Sequence, residues 1–264
     1  MGIVNVTPDS FSDGGHFLDA ERAIEHGREL AESGAAILDI GGESTRAQAS
    51  PVSPQDEIGR VVPVITGLAR TKTVLSVDTM KPEVAAAALQ AGAHVVNDIR
   101  GLQGDPHLAE VAAQYGAGVV VMHNPGLLGS AAPLPGDPVR ACLDFFSRSM
   151  DIARSAGINA DRIAIDPGFG FGKSLEQNLE LLARLPELAV LGLPLLVGTS
   201  RKSFIGKITG RAQAADRLIG TLATGVAAAL AGAAIVRVHD VPEHAEALAM
   251  AAAIRAASPA DAAR

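Results

Sequence analysis

Ile163-Ala-Ile-Asp-Pro-Gly-Phe-Gly-Phe-Gly-Lys173 is the stretch that decides the fold. A short apolar run with a strand's composition ends in one acid, Asp166, and the proline and alternating glycines that follow can continue neither a strand nor a helix. The backbone turns there with a carboxylate at the lip, and glycines, lacking Cβ, let main chain approach a ligand closely. Gly168 and Gly172 bracket three residues where a P-loop needs four, so the Gly-Lys-Ser at the end of the run is out of frame for a nucleotide phosphate. Taken alone, Asp166 could equally cap the helix that follows. The same arrangement, however, recurs along the whole chain.

Working outward, the pattern predicts strands over Met1–Val6, Ala35–Ile40, Thr73–Asp78, His94–Ile99, Val119–His123, Ile163–Asp166, Leu195–Gly198 and Ile235–His239. Helical spacing separates them over Asp19–Ser33, Pro54–Ala69, Pro82–Gln90, Pro106–Tyr115, a long segment after the loop Asn124–Asp137, Ser174–Leu185, Ala214–Ala231 and Pro242–Ala256. Eight strand-helix alternations in 264 residues, with no linker or composition break, predict an α/β (β/α)8 TIM barrel, a single domain over 1–264. A doubly wound open sheet is the competitor, but its usual Gly-rich first turn is absent. In such a barrel the C-terminal strand ends share one face. Asn5, Asp39, Asp78, Asn97, His123, Asp166, Arg201, Lys202, Arg237 and His239 should therefore converge.

That ring divides by sign. Asp78, Asn97 and Asp166 suit a flat heterocycle with several N–H donors side by side. Arg46, Arg201, Arg237 and His239, with Asn5, offer donors and positive charge to an anion such as phosphate or pyrophosphate. Each residue alone also has a structural reading: turn-capping acids, a satisfied core histidine at 123, Arg237 paired with Asp240. A buried ring of acids, amides and bases is costly unless its members pair with each other or with a ligand.

Composition removes several classes. A net charge of −7 with 3% aromatics and no basic run argues against nucleic acid. One cysteine, Cys142, leaves no internal disulfide and no thiolate zinc site, so a reducing cytoplasm is expected. No signal segment and no apolar run of about 18 residues is found, so no membrane association is expected. The seven histidines are scattered and the His-x-His of metal-dependent barrel hydrolases is missing. A magnesium ion carried by a pyrophosphate and touching Asn5 needs no such cluster. No Ser-His-Asp spacing or Gly-x-Ser-x-Gly elbow is found either, which leaves nucleophilic catalysis without a candidate.

The motifs Met1-Gly-Ile-Val-Asn-Val-Thr-Pro-Asp-Ser-Phe-Ser-Asp-Gly-Gly15, Asp39-Ile-Gly-Gly-Glu-Ser-Thr-Arg46, Ser76-Val-Asp-Thr-Met-Lys-Pro82, Asn97-Asp-Ile-Arg-Gly101, Ile165-Asp-Pro-Gly-Phe-Gly-Phe-Gly-Lys173, Thr199-Ser-Arg-Lys-Ser-Phe-Ile-Gly206 and Val236-Arg-Val-His-Asp240 occur in this order. Together they resemble the dihydropteroate synthase family. The resemblance implies condensation of 6-hydroxymethyl-7,8-dihydropterin pyrophosphate with p-aminobenzoate, with magnesium, in folate biosynthesis, in a homodimer and a sulfonamide target. It implies that Asp78, Asn97, Met122, Asp166 and Lys202 hold the pterin with Arg237 beside it. Asn5, Arg46, Arg237 and His239 would take the pyrophosphate, with Asn5 on the metal. Phe11, Thr45, Arg46, Phe171, Ser200 and Arg201 would shape the aminobenzoate site, and Asp78, Asp39, Lys202 and Arg237 would carry catalysis. A dissociative C–O cleavage under closed loops would need no nucleophile.

The chain departs from the family pattern where Ala47-Gln48 replaces Pro-Gly after Arg46, and where His123-Asn124-Pro125-Gly126 replaces the commoner His-Met-Gln-Gly. The first departure is expected to alter the aminobenzoate pocket, the second to be a smaller change beside the pterin wall. Two other readings fit parts of the pattern: a pterin-binding paralogue without synthase activity, and a pterin-dependent methyltransferase domain.

Overall fold

Strands buried on both faces read as unbroken aliphatic runs, and that is how the parallel strands of this chain are built. The computed structural model describes residues 1–7, 15–44, 50–128, 134 and 136–257. β1 (Gly2–Asn5), β2 (Ile37–Gly41), β3 (Val74–Asp78), β4 (Val95–Asp98), β5 (Gly118–Met122) and β6 (Ile163–Asp166) pair in chain order, all parallel. β7 (Leu196–Val197) pairs with β8 (Ile235–Val236). The two sheets join into a closed ring. On one side Ile165 N donates to Pro194 O at 2.9 Å; on the other Ile3 N donates to Val238 O at 3.0 Å and Val238 N to Met1 O at 2.9 Å. Closure leaves no sheet edge and makes the expected (β/α)8 barrel.

Register places the site. Asn5 pairs with Gly41, Gly41 with Asp78, and Asp78 with Asn97, so one layer runs across the ends of four strands. Successive residues face opposite sides of a strand. Ile40, Val77 and Val96 therefore join the aliphatic layer between strands and helices, while Asp39, Ser76, Asp78 and Asn97 form a polar interior at the C-terminal end.

The helices are α1 (Gly15–Glu32), α2 (Pro54–Leu68), α3 (Pro82–Gln90), α4 (Pro106–Gln114), α5 (Pro138–Ala156), α6 (Leu175–Ala183), α7 (Ser203–Thr209), α8 (Leu218–Leu230) and α9 (Val241–Ala256). Their starts follow from the sequence. Ser53, Asp105 and Asp137 accept from backbone N–H groups of the first turn just ahead of a proline at the first helical position. Ser174 and Gln177 form a reciprocal capping box. α5 stops at Gly157, whose φ of 87° is left-handed.

Three expectations need correction. β7 and β8 are two residues each rather than Leu195–Gly198 and Ile235–His239, because Leu195 O already accepts from both Ala234 N and Ile235 N and the chain turns after Gly198. Ser203–Thr209 is a helix, and Ala214–Arg217 is a 3-10 turn ahead of α8 rather than part of it. Seven residues ending at a left-handed Gly210 are too short for apolar periodicity to reveal. α6 ends at Ala183, and Leu185–Leu191 continues as a 3-10 helix. No helix among the described residues is long and apolar enough to cross a membrane.

Candidate active site

The C-terminal ends of the strands enclose a cavity of about 700 Å³. Asn5 at the end of β1 and Thr7 after it, Glu43 and Ser44 after β2, Asp78 on β3, Asn97 on β4, Met122 on β5 and Asp166 on β6 line one part of it. Phe171, Ser200, Arg201, Lys202, Ser203, Arg217, Arg237 and His239 line the rest. Phe11, Thr45, Arg46, Ala47 and Gln48 lie outside the described residues.

Arg237 organises the floor. Its Nε donates to Asp39 Oδ2 at 2.6 Å and its Nη2 to Asp78 Oδ2 at 2.8 Å. One planar guanidinium so holds two carboxylates from neighbouring strands, a geometry a lysine could not reproduce. Burial works against its charge, but Asp39 and Asp78 outweigh burial and keep it firmly protonated. Asp39 does not itself line the cavity. It is fully buried, and the same Oδ2 accepts from Asn97 Nδ2 at 2.9 Å, so it meets the site through Arg237 and Asn97. Asn97 Oδ1 is buried without a protein partner. Such an acceptor is costly unless a ligand satisfies it.

The other two acids sit close by. Burial raises the Asp78 carboxyl to about 7 against the pull of Arg237, with Asp39 and Glu57 adding to the rise. Asp166 is pushed up by burial while Gly168 N donates to its Oδ1 at 2.7 Å. That turn requires glycine. Gly168 has φ of 69°, and a Cβ there would stand 2.1 Å from His123 O. Lys202 Nζ lies 3.9 Å from the centre of the Phe171 ring, a cation–π contact, and burial and then Arg237 lower its ammonium to about 8.

The segment after β7 is pinned from several sides. Arg201 takes a positive φ of 58°, held by its N–H on Thr221 Oγ1 at 3.0 Å and its carbonyl under Arg217 Nη1 at 2.8 Å. Its guanidinium pairs with Asp240, Nε lying 3.1 Å from Oδ2. Asp240 thus serves Arg201, whereas the structural alternative for Arg237 had assigned it there. Ser200 Oγ accepts from His239 N at 3.2 Å and lies 2.9 Å from His239 Nδ1. That contact holds the imidazole plane against Ser200, with the donor set by the ring's tautomer. Burial, then Arg201 and Arg237, lowers His239 to about 4, so it contributes a neutral imidazole rather than the positive charge read from sequence.

Sequence reasoning missed Ser203, hidden in the short α7, and Arg217, whose role depends on packing. It also missed Lys173. This buried ammonium donates to His123 O, Gly168 O and Phe171 O at 3.2, 2.8 and 3.2 Å and staples the β5 and β6 loops together. His123 takes the structural reading. It lies in an edge-on cluster with Phe145 and Phe146, 3.1 Å from Cys142 Sγ, and outside the cavity lining. Burial lowers its imidazole to about 3 and raises the Cys142 thiol to about 12, which disfavours a thiolate–imidazolium pair.

Fold and site define a barrel enzyme that presents acids and an amide to a heterocycle beside a cationic floor. The chain belongs to the pterin-binding enzyme family, whose model matches residues 1–239, and within it to the dihydropteroate synthases. It is 48% identical over 245 residues to the dihydropteroate synthase of Synechocystis, which spans 91% of this chain and 84% of that protein. The Xanthomonas albilineans dihydropteroate synthase with 4-aminobenzoic acid superposes with a TM-score of 0.92 at 47% identity, covering 98% of this chain and 93% of that one. The same enzyme in complex with 7,8-dihydropteroate gives 0.88 at 46% identity, covering 98% and 94%.

Proposed function

We propose that this chain joins 6-hydroxymethyl-7,8-dihydropterin pyrophosphate to p-aminobenzoate, giving 7,8-dihydropteroate and pyrophosphate for folate biosynthesis. The observation that carries the reading is the row of acceptors across β3, β4 and β6. Asp78, the orphaned Asn97 Oδ1 and Asp166 meet in one cavity beside Lys202 and Arg237. A pterin ring offers N–H and amino donors with the spacing such a row requires. The relatives seen with 4-aminobenzoic acid and 7,8-dihydropteroate support the two halves of the substrate pair.

The pyrophosphate side is assigned to Asn5, Arg46, Arg237 and His239, with His239 as a neutral imidazole. The aminobenzoate side is assigned to Phe11, Thr45, Arg46, Phe171, Ser200 and Arg201, a site that sulfonamides would share. Asp78 takes the charge that develops on the pterin as the C–O bond breaks, and Lys202 and Arg237 steady the departing anion. These are preorganised electrostatic roles that need no covalent intermediate.

Among the described residues no three His, Cys, Asp or Glu side chains gather around a metal position, so a resident metal is not supported. A magnesium ion arriving with pyrophosphate fits better. Asn5, exposed at the cavity, supplies a hard oxygen, and the phosphate oxygens supply the rest. Its chemistry there would be to neutralise the leaving group.

A homodimer through the second-half helices is supported by exposed apolar residues on α8 and α9, Ile219 at 81% and Met250 at 61% among them. The free, buried Cys142 is consistent with a cytoplasmic setting. Titrating a pterin into the parent protein and into Asn97→Ala tests the assignment. The parent should bind and the variant should bind at least about tenfold more weakly, the scale for a lost buried hydrogen bond to a ligand. Equal affinity would refute the acceptor row.

A further inference from the structure

One half-buried cation beside the cavity lines no part of it. Lys81 stands three residues beyond Asp78, at the start of α3, and its ammonium serves three acceptors from two other segments. It donates to Glu43 Oε2 at 2.8 Å, to Val52 O at 2.7 Å and to Glu57 Oε2. Glu43 follows β2 and lines the cavity with Ser44. Its second oxygen accepts from Val52 N at 3.0 Å, so both of its oxygens are fixed. Glu57 lies in the first turn of α2 and is buried, with Oε1 unpartnered. The chain leaving β2 and the chain entering α2 are thus tied to the β3 loop at a single point. Arg60 adds a further tie, donating to Gly42 O at 2.8 Å.

Two carboxylates around one ammonium, with one oxygen orphaned, form a poor stabilising device. Well-packed apolar side chains commonly serve stability as well or better. What the cluster does provide is a fixed distance between the segment after β2, which carries Glu43 and Ser44 into the cavity, and the turn after β3, which begins at Asp78. Burial tends to lower the Lys81 pKa, but its bonds to Glu43 and Glu57 prevail and raise it, so the clamp stays charged.

We propose that Lys81 is a positioning residue that sets the Glu43–Ser44 wall against Asp78 and acts on turnover rather than on occupancy of the acid and amide end. The proposal rests on the synthase reading above. Its test compares the parent with Lys81→Met, Lys81→Arg and the charge-balanced pair Lys81→Met with Glu57→Gln, the last guarding against a variant that fails to fold. Two quantities are measured on each folded protein: the Kd of 6-hydroxymethylpterin by calorimetry, and kcat from pyrophosphate release with both substrates. Lys81→Met and the balanced pair should lose at least about tenfold in kcat while pterin Kd stays within about threefold, and Lys81→Arg should recover most of the rate. Parental kcat in the balanced pair would overturn the proposal, as would a pterin Kd that weakens in step with kcat. A parent that binds pterin but shows no turnover would overturn the synthase reading and this proposal with it, which separates the two failures.

Discussion

Replacing Asp39 by Asn asks how far a residue that never lines the cavity governs it. Asp39 Oδ2 receives Arg237 Nε at 2.6 Å and Asn97 Nδ2 at 2.9 Å, in full burial. Asparagine keeps the shape but converts two hydrogen bonds to a carboxylate into two to an amide oxygen. The Asn97 bond goes from charge-assisted, worth about 1.5–3 kcal/mol, to neutral, worth about 0.5–1.5, a loss of about 1 kcal/mol; the Arg237 guanidinium stays ionised but loses its counter-charge, about a further 1 kcal/mol, so about 2 kcal/mol together. If that support matters in the transition state, kcat/KM falls about thirtyfold, at 1.36 kcal/mol per tenfold. The Asp78 carboxyl, which the Asp39 charge helps to raise, should titrate lower in the variant. Urea unfolding and pyrophosphate release between about pH 5 and 9 read both effects, the range being chosen to bracket the raised carboxyl. A variant with kcat/KM within about twofold of the parent would refute the claim that Asp39 works through Arg237 and Asn97.

His239 is held neutral with its pKa near 4, below the ordinary 6.5, so the unfolded state binds the extra proton between those values. Stability should therefore fall as pH drops from about 6.5 to about 4, and His239→Gln should show a shallower acid-side loss in denaturant titrations over that window. Lys173→Met removes a buried ammonium from three carbonyls and should cost about 3–5 kcal/mol in unfolding free energy, read by urea titration. A cost below about 1 kcal/mol would show that the staple is dispensable. Gly168→Ala places a Cβ 2.1 Å from His123 O at a φ of 69°. It should destabilise by more than about 2 kcal/mol, with a matching fall in Tm in thermal scans.

The barrel was legible because parallel strands announce themselves as aliphatic runs and because helix starts such as Ser53-Pro54 and Asp137-Pro138 carry their own capping chemistry. The strand-end acids were legible for the same reason. A polar residue closing an aliphatic run, as in Ile163-Ala-Ile-Asp166, must lie at the rim. Pairing was not legible. Arg237 meets Asp39 across 198 residues, and nothing local distinguishes that pairing from one with Asp240, which the structure gives to Arg201. Charge state was equally hidden, since burial and two neighbouring arginines push His239 well below its ordinary range. Short elements escaped as well. α7 spans under two turns, too few for a period to show, and it carries Ser203 into the cavity.

The central claim is that this cavity couples a pterin to an aniline. Pyrophosphate release by the purified protein, with dihydropterin pyrophosphate and magnesium, measured with and without p-aminobenzoate and paired with mass detection of the product, tests it most directly. The account predicts release that depends on p-aminobenzoate and matches dihydropteroate formed one for one. Pterin binding without any coupled product would contradict it, leaving a barrel that holds the pterin and has lost its second substrate.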